Sequence, residues 1–84
     1  DALPIYGIIT RACQALIHHA FEEMGMEKVE ISAALENEAS RAVCERLGMT
    51  QEGITRRAER LADRVVDHVH YGLLRDEWLR LRDL

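Results

Sequence analysis

The chain has 84 residues, 48% of them apolar and 31% charged, with a net charge of −4 and a single proline. That is one small domain at most, globular rather than disordered, and its basic residues are too mixed with acids to make a one-signed face for nucleic acid. No apolar run approaches the ~18 residues of a membrane helix and no signal peptide is visible, so no membrane partner is expected and the cytoplasm is the default compartment.

Ile9, Ala12, Cys13, Leu16, Ala20, Phe21 and Met24 recur at three and four, with Arg11, Gln14, His18, His19, Glu22 and Glu23 between them. This spacing predicts an amphipathic helix over 9–24, ended by Gly25 and with both histidines on its exposed side. Val29, Ile31, Ala33 and Leu35 then alternate with Lys28, Glu30, Ser32 and Ala34, which predicts a strand over 28–35 with one buried face. Asn37 can cap a second helix over 38–47, with an acid in its first turn, Arg46 in its last and Gly48 as its stop. Residues 50–58 read as a strand and 59–64 as a polar loop. Residues 65–74 read as a further strand, with Val65, Val69, Tyr71 and Leu73 on one face and Val66, His68, His70 and Leu74 on the other. Residues 75–84 form a charged helical tail anchored by Trp78. The order is α-β-α-β-β plus a tail, an α/β pattern whose first helix lacks the strand that would complete a βαβ unit.

The segment Glu36-Asn37-Glu38-Ala39-Ser40-Arg41, continued through Leu47-Gly48-Met49 to Gly53, together with Gly7-Ile8-Ile9-Thr10 at a helix start, resembles the C-terminal half of GCN5-related N-acetyltransferases (GNAT). More narrowly it resembles their ribosomal-protein branch. The resemblance covers residues 7 to 78 and implies the C-terminal half of a GNAT fold without its first half. The family's acetyl-coenzyme A loop reads Gln/Arg-x-x-Gly-x-Gly/Ala, and its backbone amides at a helix N-terminus hold the pyrophosphate. Gly7 fits the last position, whereas the earlier glycine falls at Ile5 and the Gln/Arg at Pro4. Ile5 would crowd such a loop, and Pro4 has no amide to give. The match breaks at one point. Residues 1–6 are therefore read as a non-native or truncated leader and 7–84 as a partial acetyltransferase domain.

Acetyl transfer to an amine needs a neutral amine, a polarised thioester carbonyl and a proton for the departing thiolate. The resemblance implies Ser40, three residues after Asn37, as the group that protonates the thiolate, and Glu59 as the base. It also implies that Asn37 contacts the pantetheine arm, that Arg41 binds the cofactor, and that Gly7, Ile8 and Thr10 border the pyrophosphate. The expected activity is transfer of acetyl from acetyl-coenzyme A to a primary amine such as the N-terminus of a ribosomal protein, with the 84-residue piece inactive by itself. The missing neighbour of strand 28–35 would leave an open apolar edge that favours oligomers, a homodimer included.

Other readings of the same residues are weaker. Asn37 caps a helix on any fold, and Glu59 between Arg57 and Arg60 is by default a solvated charge. His68 and His70 share a strand face, but no carboxylate or cysteine joins them at useful spacing, so no metal is expected. Cys13 and Cys44 lack CxxC spacing, and Cys44 lies on an apolar stripe with no assignable base. Residues 40–57 also scan as a helix-turn-helix with Arg56 and Arg57 toward phosphates. Against this, Gly53 would sit inside the recognition helix at a cost of roughly 1 kcal/mol. A third reading keeps the acetyltransferase shape as a non-catalytic interaction module.

Overall fold

The computed structural model describes residues 5–83, with α1 (Ile5–Glu22), β1 (Lys28–Ala34), α2 (Glu38–Arg46), β2 (Thr50–Arg60), β3 (Val65–Leu74) and α3 (Arg75–Arg82) in that order. Residues 1–4, most of the expected leader, lie outside the described residues. Helix α1 begins at Ile5 rather than residue 9 and runs through Gly7 without interruption, so the backbone is already helical where the sequence pattern breaks.

The buried stripe of α1 differs from the expected one. Ile17 and Phe21 are buried and Cys13 packs against them, whereas Ile9, Leu16 and Met24 are exposed, Leu16 by 68%. The apolar residues of the helix spread over a broad arc, and its Cys13, Ile17 and Phe21 edge is the one packed into the core. The chain leaves the helix at Glu22 and turns at Gly25, whose φ is +66°.

Helix α2 has the ends its sequence encodes. Asn37 Oδ1 accepts from the Ser40 amide at 3.1 Å, the side-chain cap that satisfies an otherwise orphaned donor. At the other end Gly48 adopts φ +78°, its N–H donates to Glu45 O at 3.0 Å, and Met49 N–H donates to Cys44 O at 3.1 Å. These are the paired bonds of a Schellman stop.

The three strands form one antiparallel sheet in the order β1-β3-β2. Lys28 pairs with Leu74 through to Ala34 with His68, which puts Val69, Tyr71 and Leu73 on the helix-covered face. There they join Ile17, Phe21, Val43, Cys44, Leu47, Met49 and Trp78 in one core. Trp78 anchors α3 by stacking on Phe21 at 5.0 Å between centroids and 28° between planes. The other face of the sheet is polar and carries Lys28, Ser32, Thr55, His68 and His70.

Strand β2 continues through Arg60, so Glu59 is a strand residue and not part of a loop; only residues 61–64 connect the strands. Between Thr55, opposite His68, and Glu59, opposite Val66, β2 has three residues where β3 has one. This bulge places Arg57 at φ +51°, where its amide donates to Asp67 Oδ1 at 2.7 Å. The facing at the start of β3 also departs from expectation. Val66 is buried and Val65 is 43% exposed; these two residues lie past the end of β1 and pair with β2 alone, whereas the Asp67 carbonyl still accepts from the Leu35 amide at 2.8 Å. A strand over 50–60 leaves no recognition helix, which rules out the helix-turn-helix reading.

Candidate active site

The first half of α1, the edge strand β1 and the start of α2 enclose a cavity of about 160 Å³. It is lined by Ile9 and Cys13, by Ile31, Ser32 and Ala33, and by Ser40, Val43 and Cys44. The lining is mostly aliphatic with the Ser40 hydroxyl beside it, since the Ser32 hydroxyl is turned to the other face of the sheet and bonds His70; this composition suits a thin, weakly polar ligand arm. Ser40 reaches the wall from the first turn of α2, and the Asn37 cap on its amide fixes where that turn begins. Asn37 and Ser40 are thus brought together by the local physics of one helix start.

Gly7, Ile8 and Thr10 lie one to two positions from Ile9, in the first two turns of α1. Gly7 and Thr10 are half-buried and Ile8 is exposed. The free amides of a helix start attract anions, and no acidic side chain occupies the first turn of α1. Ile5 belongs to that same turn with its side chain 67% exposed, so it occupies a helical position rather than a glycine-rich loop.

Arg41 points inward. Its Nε donates to Tyr71 Oη at 3.2 Å and its Nη1 to the Leu35 carbonyl at 3.2 Å. The bond to the Tyr71 hydroxyl holds the guanidinium charged, above its usual range. These contacts tie the β1–α2 turn, from which Asn37 projects, to the central strand.

Cys44 is buried at 1% exposure, and desolvation pushes its thiol above the usual range, with Cys13 adding to the effect. It therefore stays a neutral wall group rather than a nucleophile.

Glu59 is not near this cavity. Its Oε1 lies 3.0 Å from His68 Nε2, on the polar face of the sheet. Val66 is its direct cross-strand partner and His68 the diagonal one, two positions along β3 on the same face. The sequence pattern did not join any carboxylate to His68, because the pairing depends on the three-residue bulge. Beside it, His70 bonds Ser32 Oγ through Nδ1 at 2.7 Å and Thr55 Oγ1 through Nε2 at 2.6 Å, a row across all three strands. Among the described residues no group of three His, Cys, Asp or Glu side chains is placed to hold a metal. The residues missed by sequence reasoning are therefore Ser32, which lines the cavity, and His68, which meets Glu59; the period-two pattern marks their face but not their partners.

Known proteins share this fold and sequence pattern. The family described as "Acetyltransferase (GNAT) domain" matches residues 5–50. YdaF of Bacillus subtilis (strain 168), named provisionally as a ribosomal N-acetyltransferase, is 49% identical over 72 residues, 86% of this chain and 39% of YdaF. A GCN5-related N-acetyltransferase structure from Brucella melitensis superposes with a TM-score of 0.83 at 29% identity, covering 89% of this chain and 34% of that one. The structure of RimL, a ribosomal L7/L12 α-N-protein acetyltransferase in complex with coenzyme A, superposes with a TM-score of 0.77 at 31% identity, covering 84% and 40%. The chain spans about two fifths of the length of these relatives. With its sequence pattern, its α-β-α-β-β-α order and its sheet all matched by acetyltransferases, the chain belongs to the GNAT acetyltransferase family.

Proposed function

We propose that the full-length protein carrying this sequence is a cytoplasmic enzyme that transfers acetyl from acetyl-coenzyme A to a primary amine, specifically the N-terminal α-amino group of a protein of the ribosomal class. The amine nitrogen attacks the thioester carbonyl carbon, a C–N bond forms and the C–S bond breaks. Glu59 takes the proton lost by nitrogen, and Ser40 supplies one to the departing thiolate. Gly7, Ile8 and Thr10 border the pyrophosphate at the start of α1. Asn37 contacts the pantetheine arm, and Arg41 serves the cofactor by bracing the turn that carries Asn37. The reaction needs no metal, and neither nucleic acid nor membrane takes part.

The observation that supports this reading most directly is Ser40 on the wall of the narrow apolar cavity between α1, β1 and α2, with its amide capped by Asn37. A hydroxyl on the wall of an apolar slot is where a thiolate leaving an extended pantetheine arm would collect its proton. The relationship to YdaF at 49% identity favours the ribosomal class of acceptor.

The test is turnover of acetyl-coenzyme A by the full-length protein with peptides copying ribosomal-protein N-termini, for wild type and Glu59→Gln across pH. The expected result is turnover that rises with pH in the wild type and is both lower and flatter in Glu59→Gln, by the roughly 10²–10⁴-fold that a positioned base supplies. Unchanged turnover at every pH removes Glu59 from the mechanism.

A further inference from the structure

We infer that His68 is a positioning residue for Glu59, holding the carboxylate where it can accept the proton of the acceptor amine. The inference rests on Glu59 being the base proposed above, and it adds a second residue to that step. A carboxylate has no hydrogen of its own to donate, so at 3.0 Å the His68 Nε2–H is the donor and Glu59 Oε1 the acceptor.

The two partners differ in stiffness. Glu59 follows the bulge of β2, with its side chain 51% exposed, and every residue of β2 from Ile54 to Arg60 is exposed. Among the described residues its carboxylate makes one side-chain hydrogen bond or ion pair, the one to His68. A glutamate so placed samples several rotamers, each with its carboxylate in a different position. His68, by contrast, stands on the central strand, opposite Ala34 of β1 and Thr55 of β2, and its side chain is only 27% exposed.

His70 cannot take over this role. Both its ring nitrogens are engaged, one by Ser32 and the other by Thr55, which leaves His68 as the histidine that meets the carboxylate. Holding one rotamer of the base matters because a misplacement of ~1 Å at a reacting centre costs about a hundredfold in rate.

Four variants of the full-length protein test this: His68→Ala, His68→Gln, Glu59→Gln and the double variant Glu59→Gln/His68→Ala. Each is assayed for kcat and for KM of acetyl-coenzyme A and of the acceptor peptide, with thermal melting alongside. His68→Ala is expected to lower kcat about 10- to 100-fold, with KM for acetyl-coenzyme A nearly unchanged. His68→Gln, whose side-chain amide donates from nearly the position of Nε2, is expected to restore most of that loss. The double variant is expected to be no slower than Glu59→Gln alone, since positioning has no effect once the base is gone.

If Glu59→Gln lowers kcat while His68→Ala is harmless, or while their effects multiply, the positioning role is overturned and the base remains. The same holds if the loss in His68→Ala is not rescued by His68→Gln and tracks a drop in melting temperature. If Glu59→Gln is itself harmless, the base assignment is overturned and the positioning role with it.

Discussion

Asn37 and Ser40 belong to one helix turn, yet the chemistry separates their contributions. The Asn37 side-chain Oδ1 satisfies the Ser40 amide, so Asn37→Ala is expected to lower stability by about 1 kcal/mol and to raise KM for acetyl-coenzyme A, because the turn that shapes the cavity loosens. In the proposed reaction the Ser40 hydroxyl gives its proton only as the thiolate develops, and Ser40→Ala removes it. The substitution is expected to lower kcat more than it raises KM. Steady-state kinetics and denaturant melts of both variants check this; equal effects on KM alone would assign Ser40 to binding. Cys44 gives a second residue-scale expectation. Burial raises its thiol above the usual range, so at mildly alkaline pH it should alkylate far more slowly than the half-buried Cys13, as read by mass spectrometry of iodoacetamide adducts. The sign for stability follows. The unfolded thiol ionises first, so the native state loses ground to the unfolded one as pH rises past the ordinary thiol range.

The helices and strands owe their limits to a few backbone commitments. Gly48 ends α2 at φ +78°, and a Cβ there would lie 2.6 Å from Leu81 Cδ1 of α3. The Leu81 side chain can swing aside, so the main cost of Gly48→Ala is the left-handed backbone, roughly 1–2 kcal/mol. A fall in the denaturant midpoint of the full-length protein by that amount is expected, and no change would mean the stop tolerates a side chain. Arg57 is the corresponding commitment in β2. Its left-handed backbone is held by Asp67, and the bulge it builds carries Glu59 to His68. At Gly72 the neighbour is the movable end of a side chain. The Glu52 carboxylate lies 2.6 Å from where a Cβ would be, on its way to Lys28 Nζ at 2.8 Å. That bond is the leading cause of the raised Lys28 ammonium pKa.

For the molecule as a whole, the exposed area decides what these 84 residues can do alone. They expose 6067 Å² at 9.6 kDa, against roughly 5,100 Å² for a compact monomer of that mass. The Cα radius of gyration is 14.1 Å, against about 12 Å for a compact domain of this length. Large apolar side chains contribute to this excess. Ile5, Ile8, Leu16, Met24 and Met26 are exposed, and among the described residues β1 pairs on one side only. An unpaired edge beside an apolar helix stripe favours self-association. Expressed alone, the chain is expected to form oligomers by sedimentation velocity and to show no micromolar binding of acetyl-coenzyme A by calorimetry. A monomer with cooperative melting and micromolar binding would sink this prediction.

What the sequence by itself determined is what local physics controls. The element order, the Asn37 cap, the Gly48 stop, the alternation of Val29, Ile31 and Ala33 and the anchor at Trp78 all follow from side chains acting within a few residues of themselves. The family pattern was likewise legible, because residues 36–53 are one uninterrupted run. The tertiary structure decided the rest. It chose Cys13, Ile17 and Phe21 over Ile9, Leu16 and Met24 as the inner edge of α1, since both sets satisfy the helical period and only the sheet distinguishes them. It carried β2 through Glu59 and set the bulge that joins Glu59 to His68, and it turned Arg41 inward to Tyr71, thirty positions away. Those outcomes depend on register and on contacts between distant segments, which the local spacing of residues does not specify.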